Sequence, residues 1–235
     1  SYALSNLVST MVKHTNAKSA AIYHLTDNPY FPAMADLMTN ELKKLGVDVA
    51  AVTTGLSKDA EFSRQVNEIK ASNPDIVYIS ADNLRGIGFM KEAFRRQLKP
   101  SVFIGGISQL VPDTIKSGGD AVEGMIMIGS YDDKSAGINK FRENFKARWG
   151  EDINLFSVNG YEAGQLIIEA LKKAGIENTE ASLQSDREKL RAAYEQVSVD
   201  SVSGYSVGFN PVHDTPKAGV ILTIRDGAFR AWQPN

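Results

Sequence analysis

Five β-rich runs, each separated from the next by a stretch with helical spacing, constrain this chain more than any other feature. The runs are "SAAIYHL", "VDVAAVTT", "NPDIVYIS", "PSVFIGG" and "EGMIMIG", between residues 19 and 129. Apolar residues recur at helical intervals around them: Leu4, Leu7, Val8, Met11 and Val12 first, then Met34, Leu37, Met38, Leu42 and Leu45, then Phe62, Val66 and Ile69, then Ile87, Met90 and Phe94. Parallel strands cannot be joined by a tight hairpin, so each needs a crossover, usually a helix. Strands that are apolar on both sides need cover on both faces. The pattern therefore predicts an α/β fold for residues 1–130, a doubly wound parallel five-stranded sheet flanked by helices.

Past "SYDDKSAG" the rhythm changes. Residues 131–201 read as a helical segment with helices near 137–149, 158–174 and 183–198, and residues 202–235 read as a β-rich tail turning at Asp226-Gly227. The middle helix carries Ala163, Leu166, Ile167, Ala170, Leu171 and Ala174, with Gly175 as its C-cap. Burying one Leu or Ile stabilises by about 1.5–3 kcal/mol, so this stripe is expected to find a partner. That partner is another lobe, a second copy of the chain or the sheet itself.

Several functions lack their usual marks. A net charge of -2 gives no broad attraction for nucleic acid or anionic membrane. No apolar stretch reaches the roughly 18–20 residues of a membrane span, and residues from Ser1 onward do not form a secretion signal. Without cysteine there are no disulfides or thiolate sites, and His14, His24 and His213 lack metal-ligand spacing. Neither a GxSxG elbow nor a Walker loop is present, and Gly86-x-Gly88 lacks the third glycine of a dinucleotide fingerprint. No cofactor is expected.

Topology supplies a more specific expectation. In open doubly wound sheets, ligands sit beyond the carboxyl ends of the strands, where strand order reverses. For the order 2-1-3-4-5, that switch sets Thr26, Asp27, Asn28, Tyr30 and Phe31 opposite Ser80, Asp82 and Asn83, with Gly106, Ile107, Ser108 and Gln109 alongside. Aromatic area with a few orienting polar groups suits a small molecule. Asp27-Asn28-Pro29 reads equally as a turn and helix start, and Asp82-Asn83 as a helix cap. Asp27 and Asp82 across one cleft also form a candidate acid–base pair. Tyr131, Asp132 and Asp133 follow the fifth strand at the same rim, or form a solvated acidic loop.

Four phrases in order, "AKSAAIYHLTDNPYFPAMADLMTNELKKLGVDVAAVTT", "FSRQVNEIKASNPDIVYIS", "GGDAVEGMIMIG" and "NGYEAGQLIIEALKKAGI", resemble the type I periplasmic solute-binding proteins of branched-chain amino acid ABC transporters. The resemblance implies a two-lobed, non-enzymatic, periplasmic receptor that closes on a small ligand, such as an amino acid or carboxylate, and delivers it to a transporter permease. It matches residues 2–130 to the second lobe and the later helices to part of the first, whose opening segment is expected to be missing here. Tyr30 matches the family's rim aromatic, but Phe31 replaces the usual following glycine. Asp82 or Asn83 matches a second contact region. At the fourth strand "GGISQL" offers Ile107, Ser108 and Gln109 where amino-acid binders often have an acid, which leaves ammonium recognition in question. The expected ligand contacts are thus Tyr30, Phe31, Asp82, Asn83, Ile107, Ser108 and Gln109. Two further readings stay open: a small-molecule sensory module, and a hydrolase or isomerase using Asp27 and Asp82.

Overall fold

The structure is a computed structural model that describes residues 2–131, 135–211, 213–215, 217 and 219–234. Asp132 and Asp133, read above as rim residues or a solvated acidic loop, lie outside the described residues. The chain divides into two compact units, Leu4–Gly129 with Ile221–Asn235, and Ser130–Val220 with Ser1–Ala3.

The larger unit contains α1 (Tyr2–Thr15), β1 (Ser19–Leu25), α2 (Tyr30–Lys44), β2 (Asp48–Gly55), α3 (Ser63–Ala71), β3 (Ile76–Ser80), α4 (Asn83–Arg95), β4 (Val102–Gly105), α5 (Pro112–Gly118) and β5 (Ile126–Gly129). β1 pairs in parallel with both β2 and β3, and β3 with β4. Alternation of side chains across the sheet divides the core. Ala20, Ile22, Ile76, Tyr78 and Ile104 pack beneath Leu7, Val8 and Met11 of α1 and Met38 and Leu42 of α2. Tyr23, on the opposite face, stacks on Phe89 of α4 at 4.7 Å between centroids.

The sheet is larger than the five strands expected. Its order is β2-β1-β3-β4-β5-β8-β9, where β8 is Val220–Arg225 and β9 is Ala228–Ala231. Ile224 joins the β5 end through bonds from Gly124 N to its carbonyl at 2.8 Å and from its own amide to Met125 O at 3.1 Å. Asp226 and Gly227 turn the hairpin with φ of 53° and 65°, the positive pair that a two-residue hairpin turn of type I′ requires. Ile221 and Trp232 then pack on the α1 and α2 core. The expected β tail is therefore shared between the units, its last part completing this sheet. Sequence periodicity cannot report a pairing that spans about a hundred residues.

The smaller unit holds α6 (Ala136–Trp149), α7 (Leu155–Ala174), α8 (Leu183–Tyr194) and an antiparallel pair, β6 (Ser198–Asp200) with β7 (Ser206–Gly208). Asn154 opens α7 with a capping box, its Oδ1 accepting from the Phe156 and Ser157 amides, and Gly175 closes it at φ 58°. Ile138, Ile153 and Val158 form the unit's small core. The buried line of α7 runs Leu155, Val158, Glu162, Leu166 and Ala170. Only part of the expected stripe is thus covered: Leu166 and Ala170 are buried, whereas Ala163 is exposed and Ile167 and Leu171 remain 44% and 37% accessible. The covered line advances by three- and four-residue steps toward α8, and the other apolar positions fall to one side of it. Glu162 is buried on that line, accepting from Ser201 Oγ at 2.6 Å and pairing with Lys217 Nζ.

Candidate functional site

The switch point forms where expected, because β1 has β2 on one side and β3 on the other. At the end of β1, Asp27 is committed to structure. Its Oδ2 accepts from the Ser57 amide at 2.8 Å and its Oδ1 from Ser57 Oγ at 2.9 Å, tying the loops after β1 and β2 together. The backbone hydrogen bond from Ser57 is the largest influence holding this carboxyl below its ordinary range. Asn28 Oδ1 accepts from the Tyr30 amide at 3.0 Å, an Asx turn that starts α2.

Tyr30 and Phe31 diverge at that helix start. Tyr30 is 43% exposed, and partial burial raises the pKa of its phenol. Phe31 points inward at 6% exposure, its ring edge-on to Tyr30 at 5.4 Å and its carbonyl accepting from Ser80 Oγ at 3.0 Å. Phe31 supports Tyr30 from below, while Tyr30 faces solvent.

At the end of β3, Asp82 is the N-cap of α4, its Oδ1 accepting from the Arg85 amide at 3.0 Å. Asn83 donates to Asp113 Oδ2 at 3.3 Å and accepts from Thr114 Oγ1 at 2.5 Å, which fixes α5 beside α4. Beyond β4, a 3-10 turn spans Ile107–Gln109. Ile107 is 36% exposed and Ser108 half-buried, but Gln109 is buried and donates through Nε2 to the carbonyls of Ala81 at 2.9 Å and Asp82 at 3.1 Å. It clamps the loop that carries Asp82. The two glycines of Gly86-x-Gly88 belong to the same packing: a Cβ at Gly86 would lie 2.5 Å from Gln109 Nε2, and one at Gly88 2.3 Å from the Phe62 ring.

Of the expected contacts, Tyr30, Ile107 and Ser108 are presented at the rim, Phe31 and Gln109 lie beneath it, and the polar atoms of Asp82 and Asn83 already have partners. One rim residue was missed. Leu84, in the first turn of α4, is 64% exposed. Its spacing of three from Ile87 reads as core, and only its place just after the cap signals that it stands above the helix's covered face. Below the rim, the buried Tyr23 hydroxyl and Arg85 Nε have no hydrogen-bond partner among the described residues. Burial, followed by the charges of Asp59 and Asp82, drives the Tyr23 phenol well above its ordinary range. Among the described residues no group of His, Cys, Asp or Glu is arranged to hold a metal ion, and no helix is long and apolar enough to cross a membrane.

These elements define a doubly wound α/β protein whose loops after β1 and β3 meet at the topological switch point. The periplasmic binding protein family matches residues 1–228, and the chain belongs to that family. It is similar to Leu/Ile/Val-binding protein homolog 7 of Brucella abortus, with 25% identity over 169 residues, 66% of this chain and 41% of that relative. Among solved structures it resembles a leucine binding protein of Thermotoga maritima, with a TM-score of 0.86, 20% identity and coverage of 99% of this chain and 64% of that one. A solute binding protein of an ABC transporter from R. palustris, solved in complex with benzoate, gives a TM-score of 0.81 at 19% identity, covering 97% of this chain and 61% of that one. The chain thus spans less than two thirds of the length of these relatives.

Proposed function

We propose that the chain forms part of an extracytoplasmic receptor that binds a small amphipathic solute, an amino acid or another carboxylate, for uptake through an ABC transporter permease, and that it is not an enzyme. The observation that carries this reading is the division of labour at the switch point. Tyr30, Leu84, Ile107 and Ser108 stay accessible at three neighbouring strand ends, while Asp27, Asp82, Asn83 and Gln109 are held by hydrogen bonds to the scaffold. Such a surface offers an apolar body and hydroxyl groups to a ligand. It supplies no free carboxylate at the fourth strand end for an ammonium, which favours carboxylates without an α-amino group. Carboxylates committed to a loop tie and a helix cap also speak against an acid–base pair.

The relatives support the transport setting. Their names tie them to branched-chain amino acid binding and, in one case, to benzoate. The experiment is a thermal-shift screen of amino acids and aromatic or aliphatic carboxylates on the complete receptor, followed by titration of Tyr30→Ala and Asp82→Ala. Removing Tyr30's contact should weaken binding by about 10- to 100-fold, the equivalent of burying one large side chain. Unchanged, wild-type affinity in both variants would sink the site assignment.

A further inference from the structure

At the amino-terminal ends of β4 and β5, opposite the switch-point rim, the larger unit contains a polar groove of about 490 Å³. The hairpin register explains its character. In the β8–β9 ladder Thr223 faces Arg230 and Arg225 faces Ala228. Side chains alternate, so Thr223, Arg225 and Arg230 share one face, with the two arginines as diagonal cross-strand neighbours about 7–8 Å apart at the backbone. Trp232 continues that face, and the ring of His14, at the end of α1, meets it edge-on at 5.0 Å. Among the other lining residues, Ser101, Thr15 and Thr223 carry hydroxyls, of which Thr15 and Thr223 donate to the carbonyls of Met11 and Ile224.

Charge balance makes this groove unusual. Neither Arg225 nor Arg230 has an ion-pair partner among the described residues, although Arg230 Nε donates to the Arg225 carbonyl at 3.1 Å. Among the described residues no Asp or Glu lines the groove. The nearest acids along the chain, Glu123 and Asp226, serve the hairpin turn, where Glu123 Oε1 accepts from the Asp226 amide at 2.8 Å. Like charges on neighbouring strands repel, and a bridging anion relieves that repulsion. Guanidinium forks match the paired oxygens of phosphate and carboxylate groups better than ammonium groups do. The carbonyl end of α1 opposes an anion, so the two arginines must supply the attraction.

We propose that this groove is a second binding site, distinct from the rim, for a free, multiply charged oxyanion of the phosphate type, bridged by Arg225 and Arg230 with Ser101 as a hydroxyl donor. The chain has two tryptophans, Trp149 and Trp232, so Trp149→Phe leaves Trp232 as the reporter inside the groove. Inorganic phosphate, titrated against chloride at matched ionic strength, should produce a saturable change in its fluorescence. Arg225→Gln and Arg230→Gln should each raise the midpoint about tenfold or more, the loss expected for one charge-assisted hydrogen bond. Arg230→Lys, which keeps the charge, should bind more tightly than Arg230→Gln. An equal response to chloride, or unchanged midpoints in both Gln variants, would overturn the proposal. Co-sedimentation with phosphatidylglycerol vesicles, without a saturable response to free phosphate, would overturn it too by assigning the arginines to a lipid surface.

Discussion

Gly86→Ala tests the proposition that Gln109 clamps the loop that carries Asp82. The new Cβ would stand 2.5 Å from Gln109 Nε2, 3.1 Å from its Cδ and 3.3 Å from its Cγ, so the Gln109 side chain must move. That side chain is buried, and its Nε2 holds the Ala81 and Asp82 carbonyls. Displacement therefore gives up two hydrogen bonds at about 1 kcal/mol each, with a further cost of about 1–3 kcal/mol for a carbonyl left buried and unpaired. Replacing glycine by alanine inside a helix returns about 1 kcal/mol. The expected net loss is about 2–4 kcal/mol, measured by urea unfolding followed by circular dichroism. In a Gln109→Ala background the obstruction is gone, so the same substitution should stabilise by up to about 1 kcal/mol. The double-mutant cycle should then show a coupling of about 2 kcal/mol or more. A coupling below about 0.5 kcal/mol, the ordinary limit of additivity, would refute the clamp.

Other consequences follow from particular contacts. Lys217→Met strands the buried Glu162 charge and should destabilise the smaller unit by about 3–5 kcal/mol, most of which the double change Glu162→Leu with Lys217→Met should restore; no recovery in denaturant melts would show that Ser201 and packing, not charge, dominate. Hydrogen bonds from Arg95 first, then Arg96, hold Glu92 at about 2, against an ordinary 4.5. A lowered folded-state pKa contributes stability that is complete above about 4.5 and lost as the pH falls toward 2. Glu92→Gln should consequently flatten the loss of stability over that window, and identical pH profiles would contradict it. Ile167 and Leu171 leave an apolar side of α7 uncovered in the isolated chain, so we propose concentration-dependent self-association there. Sedimentation velocity should show it weakened by Ile167→Glu, and a monomer at all concentrations would refute it.

What could be read from the sequence follows the range of the forces involved. Strand and helix alternation is written in local periodicity, so the parallel core was legible; the 2-1-3-4-5 order, taken as the common one for such sheets, is the one the first five strands adopt, and it brings the expected loops to the switch point. The direction of an individual side chain at a helix start was not. Tyr30 and Phe31 are adjacent aromatics, and the Asx turn at Asn28 sends one outward and the other under Ser80. Gln109 was illegible for another reason. Its role depends on two carbonyls 27 and 28 residues away and on the missing Cβ of Gly86, none of which leaves a pattern in its own segment. The same holds for β8, which reaches β5 across the whole smaller unit and there turns Arg225 and Arg230 onto one face. Residues whose character is set by distant backbone, not by their own neighbours, are thus where this chain departs from its pattern. They include both the clamp beneath the candidate rim and the two groove arginines opposite it.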